Sequence, residues 1–255
     1  MHMRFLKPIF AGVLLVSCAL NGREKGDASL DGGDANDFDA RIPENDGGDE
    51  CEGLFAVVYR DFKTEHPDFE GAVASERGIV LPALGADKKP VFNEAGSFQT
   101  VESRVTFDQW YRDVAGTNTA IDAQLRLTKE AGGWVYDSHA FFPIDEHGFG
   151  NETNPHNFHF TMELHSSFSY GGGEVFTFRG DDDLFLFING KLAIDVGGVH
   201  GAEEATADMD ALASQLGIAV GNTYSFDLFF AERHTDQSNF RIETSISCFT
   251  GPFIF

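Results

Sequence analysis

The chain has 255 residues, with 41 acidic against 18 basic side chains and a formal charge of −23. That charge excludes a nucleic-acid binder, which needs a basic face to neutralise phosphates. It leaves a cation, a neutral ligand such as a sugar, or solubility as its use. A 42% hydrophobic content that includes 26 Phe excludes wholesale disorder and predicts a thick apolar core. The length suits one domain of about 200 residues with appendages.

At the N-terminus, Arg4 and Lys7 precede an apolar run from Ile9 to Val16, followed by Ser17, Cys18 and Ala19. A positive start, a short apolar stretch and small residues form an export-signal pattern over residues 1–17. The run falls well short of the ~20 residues that a membrane-spanning helix requires. Leu15-Val16-Ser17-Cys18 also resembles the lipobox of bacterial lipoproteins. That resemblance implies cleavage before Cys18, acylation of Cys18 and a tether in a membrane leaflet. Ala19 stands where an Asp would favour inner-membrane retention, so the expected location is the outer membrane or cell surface, with the lipid as the sole membrane contact. The alternative is an ordinary signal peptide cut after Ala19.

Residues 18–52 read as a lipidated Cys followed by an acidic, Gly/Asp-rich flexible linker. From Glu24 to Glu52 there are 11 acids and 2 bases, so −9 of the charge lies in this stretch. It has too few apolar residues to offset the entropy of ordering. Its Asp-Gly spacing lacks the regular order of an EF-hand loop. With Cys18 acylated, Cys51 and Cys248 are the remaining thiols of an exported chain. A bridge between them would close a loop around the whole globular part, worth about 5 kcal/mol of chain entropy. Two unbridged thiols are the alternative.

The body, residues 53–250, reads as β, with 251–255 as a tail. Residues 54–62 form an apolar opening strand, and a short helix is expected around Phe107–Arg112. From Phe158 the pattern alternates: Phe158, Phe160, Met162 and Leu164 point one way, and His159, Thr161, Glu163 and His165 the other. Gly171-Gly172-Gly173 breaks that strand, and Phe176 and Phe178 begin the next. Leu184–Ile188 then runs into Asn189-Gly190, a strong hairpin signal. Residues 206–217 form a short helix or a loop, and two strands close the domain at Thr223–Glu232 and Phe240–Cys248. Such strands with Gly and Asn turns predict an all-β fold, an antiparallel sandwich or barrel.

The chemistry concentrates in Gly180-Asp181-Asp182-Asp183. A two-residue turn at Asn189-Gly190 pairs Ile188 with Lys191, Phe185 with Ile194 and Leu184 with Asp195. Asp195 then comes beside the Asp triplet, and four carboxylates converge. Like charges that close destabilise one another unless some stay protonated or a cation sits among them. Oxygen-only ligands at this density suit Ca²⁺. The plainer reading is a solvated turn whose Asp side chains bond its own amides.

"FTFRGDDDLFLFINGKLAIDVGGVHG" and "YSFDLFFAERHTDQSNFRIETSI", with "YRDFKTEHPDFE", "FDQWYRDVAGTN" and "HNFHFTMELHSSFSY", closely resemble the fibro-slime domain, a relative of the PA14 β-sandwich. The resemblance spans residues 54–248 and implies a PA14-like sandwich of jelly-roll type with one or two short helices. In PA14-like lectins two consecutive Asp residues joined by a cis peptide bind Ca²⁺ at the sugar site. They map to Asp181 and Asp182, while Asp183 falls where many such domains have Gly. A later loop supplies an Asn and backbone oxygens. It matches His234–Asn239 and nominates Asn239 and, as a weaker match, Asp236.

At the same rim, Glu232-Arg233-His234, His200, Asp183 and Asp195 are candidate ligand contacts, with Phe230 as a stacking surface. The alternative has Arg233 or Arg241 pairing a buried carboxylate and the histidines bonding backbone. His159, Glu163 and His165 read as a polar outer face: at ~3.4 Å per residue, two histidines six residues apart on a strand cannot share an ion. No H-E-x-x-H, G-x-S-x-G or P-loop pattern occurs, and three Asp in one turn lack the contrast of environments that separates a catalytic acid from its base. The expected function is a surface-tethered, Ca²⁺-dependent module binding carbohydrate or a cell-surface glycan. A matrix or protein-interaction domain with structural Ca²⁺ is the second reading, and a polysaccharide hydrolase the third.

Overall fold

The computed structural model describes residues 53–251, arranged as two antiparallel sheets packed face to face. The signal segment, Cys18, the acidic linker, and Cys51 with its pairing to Cys248 lie outside the described residues. In chain order the elements are β1 (Leu54–Phe62), β2 (Ala74–Ser75), α1 (Arg104–Phe107), β3 (Asn118–Arg126), β4 (Thr128–Glu130), β5 (Gly133–Ser138), β6 (Phe160–Tyr170), β7 (Val175–Gly180), β8 (Asp183–Ile188), β9 (Lys191–Val196), β10 (Gly198–Val199), β11 (Glu203–Asp208), α2 (Met209–Leu216), β12 (Asn222–Glu232), β13 (Phe240–Thr244) and β14 (Phe249–Thr250). The larger sheet runs β3-β1-β6-β12-β8-β9, with β14 added beside β6, and the smaller runs β11-β7-β13-β5-β4. β2 and β10 pair separately.

Alternation along the strands explains the two layers. Leu164, Phe168, Leu184, Leu186, Phe226, Leu228 and Phe230 of the larger sheet meet Trp134, Phe176, Phe178, Phe240 and Ile242 of the smaller one in the main core. Phe141 and Phe240 stack there with centroids 4.5 Å apart. The opposite face of the larger sheet is also buried. Phe185, Phe187, Phe229 and Ala231 pack under Ile79, Val80, Val101, Phe107, Trp110 and Tyr111 from the β1–β3 connection. That connection, residues 63–117, is a cover over the sheet.

The cover corrects one expectation. His159 and Glu163 are buried beneath it rather than forming an outer polar face. The polar stripe of β6 is matched by cover residues. Glu163 accepts from Arg60 Nη1 at 2.7 Å, from Lys89, and from His165 Nε2 at 2.5 Å; His165 Nδ1 donates to Asp227 at 2.7 Å. Burial opposes ionisation of Glu163, yet His165, Lys89 and Arg60 hold it down to about 2. Burial likewise opposes a charged His165, but Asp227 and Glu163 raise its pKa.

Three other boundaries moved. The helix runs over Arg104–Phe107 instead of 107–112, because Ser103 and Thr106 form a capping box that starts it early and it is capped at Asp108. Strands β3 to β5, which sequence patterning did not mark, fill residues 118–138. The last predicted strand ends at Thr244, after which the chain changes sheets and Phe249 pairs with Phe168.

Candidate functional site

The acidic turn is where the chain crosses between sheets. β7 belongs to the smaller sheet and β8 to the larger, so Asp181-Asp182 forms the link. The β12-to-β13 connection, residues 233–239, crosses back at the same end. The two crossings touch: Asp181 N–H donates to the Asn239 carbonyl at 3.1 Å. Gly180 is required here, since a Cβ on it would sit 2.4 Å from the Asn239 carbonyl oxygen. Asp182 takes up φ +51°, a left-handed conformation that costs of order 1 kcal/mol for a non-glycine residue. No cis peptide occurs among the described residues, so the cis Asp181–Asp182 bond implied by the lectin resemblance is corrected to trans.

Strand alternation then divides the acids between the two faces of the larger sheet. Ala231 is the register partner of Asp183, so the β12 strand ends in Glu232 where the Asp181-Asp182 crossing enters β8. Asp183 shares the cover side with Phe185 and Phe187, and Arg233 follows Phe229 and Ala231 to that side. There Arg233 Nε donates to Asp183 Oδ2 at 2.6 Å, and both side chains are fully buried. Its Nη1 donates to the Asp68 and Thr100 carbonyls at 2.9 and 2.6 Å, and its guanidinium lies 4.5 Å from the Trp110 ring centre. Gly198 N–H satisfies the other Asp183 oxygen at 2.7 Å. Asp183 and Arg233 are thus closed to a ligand at the rim. They pin the cover to the sheet.

Asp181, Asp182 and Glu232 are left without that cation. Asp182 accepts from the His200 and Arg233 backbone N–H groups at 3.0 and 2.8 Å. Asp181 Oδ2 accepts from both the backbone N–H and Nδ2 of Asn239, at 2.8 and 2.7 Å. Asp181 Oδ1 and both Glu232 carboxylate oxygens are buried with no hydrogen-bond partner. Burial pushes Asp182 up to about 6 against the pull of Arg233, with Asp183 adding to the rise. Burial and then the Asp182 charge drive Glu232 well above the usual carboxylate range, with the Ser238 hydroxyl working in the opposite direction. A fully buried acid with both oxygens orphaned is rare in a native fold, where buried polar groups are nearly always paired.

Other predicted residues separate. Asp195 does not join the Asp turn, because a register shift between Leu186 and Phe187 pairs it with Phe185 instead of Leu184. Its Oδ2 accepts from Gly78 N–H at 2.7 Å, tying it to the cover. The shift also sends Ile194 into the main core while Phe185 and Phe187 stay under the cover. Phe230 is wholly inside the main core and offers no stacking face. His200 Nδ1 donates to the Gly201 carbonyl at 2.9 Å, leaving Nε2 buried and unpartnered. His234 Nδ1 donates to the Thr235 carbonyl at 2.7 Å, and its Nε2 lies 3.6 Å from Glu70. Asn239 does reach Asp181, but with its amide nitrogen; its Oδ1 faces His139 Nδ1 at 3.1 Å. Asp236, at φ +137°, lines a cleft of about 420 Å³ together with Asn154, Pro155, Phe158 and Thr235. Beside Phe158, the half-exposed His156 ring lies flat on Phe142, with centroids 4.0 Å apart.

Among the described residues no three His, Cys, Asp or Glu side chains form a ready metal cluster. The orphaned oxygens of Asp181 and Glu232, at a strand crossing, are the kind of donor a hard cation takes, although Asn239 turns its amide nitrogen toward Asp181. Glu232 was legible as a rim residue but not as part of this group. The available signal was its register: it continues the core-facing series Phe226, Leu228, Phe230, where a carboxylate is out of place.

The PA14 domain profile matches residues 136–251, which include both strand crossings. Protein psiC of Dictyostelium discoideum is 39% identical over 214 residues, covering 76% of this chain and 41% of that protein. Protein psiD of the same organism is 42% identical over 205 residues, covering 74% and 39%. The chain therefore spans about two fifths of these relatives. Among solved structures, a PA14 sugar-binding domain from an RTX adhesin aligns at 14% identity with a TM-score of 0.30, covering 68% of this chain and 90% of that one.

Proposed function

We propose that this protein is a carbohydrate-binding adhesion module whose ligand site is organised by Ca²⁺ at the acidic strand crossing and which is tethered to a cell surface. The observation that carries the reading is the set of buried, unpartnered carboxylate oxygens of Asp181 and Glu232 beside Asp182. Asp181, Asp182 and the Asn239 side chain would hold the ion. Bound Ca²⁺ takes six to eight oxygens and accepts sugar hydroxyls at its open positions.

The chain's own residues supply the rest. Asp182 fixes the His200 and Arg233 backbones, which sets the relation of the two crossings. The cleft of Asn154, Pro155, Phe158, Thr235 and Asp236 offers an apolar wall with an amide, a hydroxyl and a carboxylate, a mixture that suits a sugar ring. Asp236 belongs to the cleft in this reading, His234 supports its loop through the Thr235 carbonyl, and His200 stays at the acidic crossing. The PA14 profile over both strand crossings agrees with the lectin resemblance of the sequence. The lipobox-like Leu15–Cys18 supports the tether, and a Cys51–Cys248 bridge would join the two ends of the domain.

A glycan array run with calcium and again with chelator tests the reading. Hits should appear with calcium, vanish with chelator, and vanish in Asp181→Asn at full calcium. Hits indifferent to chelator and to Asp181→Asn would remove the calcium from the account. An absence of hits under all conditions would remove the sugar.

A further inference from the structure

Resting on the calcium reading above, we infer that Glu232 is a direct ligand of the cation and its main source of buried negative charge. Neither Glu232 oxygen meets a donor in hydrogen-bond geometry, and the neighbouring Ser238 hydroxyl donates instead to the Phe141 carbonyl at 2.8 Å. Asp182 spends each of its oxygens on a backbone N–H, and Asp181 spends Oδ2 on Asn239. Glu232 spends none, although it is fully buried.

Two features place it in the site rather than in the core alone. It follows Ala231, whose register partner is Asp183, the first residue after the crossing, and it continues the core-facing series of Phe226, Leu228 and Phe230 on the sandwich side of the larger sheet. The guanidinium next in sequence does not offset it, because Arg233 turns to the cover side and is used by Asp183, Asp68 and Thr100. A side chain that only filled space would be better served by Leu, since buried polar oxygens without a partner carry an uncompensated desolvation cost. A cation restores that balance, and oxygen ligands of charge −1 raise calcium affinity as their number grows.

The test is calcium binding to the full chain by isothermal titration, with the calcium-induced rise in melting temperature as an independent readout, for wild type, Glu232→Gln, Glu232→Asp and Asp181→Asn. Glu232→Gln should fold, bind calcium about tenfold or more weakly and lose most of its calcium-induced thermal shift. Glu232→Asp, which keeps the charge with a shorter reach, should fall between the two. Unchanged calcium affinity in Glu232→Gln alongside a loss in Asp181→Asn would overturn the role of Glu232 and leave the calcium site standing. No binding by the wild type would overturn both. If Glu232→Gln fails to fold, Glu232→Asp decides, since wild-type affinity there with a loss in Asp181→Asn also rejects the ligand role.

Discussion

Two groups of buried charge lie on the larger sheet, and they are built on opposite plans. Under the cover, the carboxylates of Glu163 and Asp227 are answered by Arg60, Lys89 and His165, with hydrogen bonds between them. At the strand crossing, Asp181, Asp182 and Glu232 share one nearby guanidinium, which is already committed to Asp183. The first group is closed and holds the cover in place. The second is open, with carboxylate oxygens that meet no donor. Acidic density alone does not mark a site; acidity left without partners after folding does.

Deleting one charge from each group tests that contrast most severely. Arg233→Leu should be the most damaging, by about 3–5 kcal/mol, because it strands buried Asp183 and strips donors from the Asp68 and Thr100 carbonyls. Denaturant unfolding should show it as a lower midpoint. Glu163→Gln should follow at about 3 kcal/mol, since three cationic side chains lose their shared acceptor.

The pH dependence should have opposite signs in the two places, at most ~1.4 kcal/mol per pH unit for each group. Glu163 is depressed to about 2, so its contribution is present above its ordinary 4.5 and is lost as pH falls through 2. Asp182 is raised from 3.8 to about 6, so its contribution is full below 3.8 and is lost as pH rises through 6. In melting curves without calcium, Glu163→Gln should flatten the acid limb and Asp182→Asn the decline between pH 4 and 6. The smallest effect sharpens the comparison most. Without calcium, Glu232→Gln should be neutral or stabilising by about 1 kcal/mol, the reverse of the same carboxylate-to-amide change at Glu163. A loss of several degrees in melting temperature for Glu232→Gln would erase the distinction between the groups.

Much of the sandwich was legible because hydrophobic alternation reports it directly. The opening strand, the Asn189-Gly190 hairpin and the Phe-rich strands around it came from period and turn chemistry alone. Strands β3 to β5 escaped because their faces are largely exposed or weakly apolar, as in Asn118–Arg126. The hairpin register was read correctly next to its turn and then lost one residue further on. A register shift obeys packing between sheet and cover that no local pattern displays. At the site, Asp181, Asp182 and Asn239 were nominated by family resemblance; Asn239 bonds Asp181 through its nitrogens, while Asp182 bonds the His200 and Arg233 backbones. Arg233 and Asp183 were placed at the rim, whereas the cover buries them. The covering segment is a long connection with little regular structure, and its docking depends on contacts distant in sequence, such as Arg233 with Thr100.

The central claim is that the open acidic crossing holds a cation, and calcium titration of the chelator-treated full chain measures it most directly. The account predicts one saturable site per chain, a melting temperature that rises with calcium, and the loss of both in Asp181→Asn. A flat titration, with a melting temperature indifferent to calcium and to chelator, would contradict it.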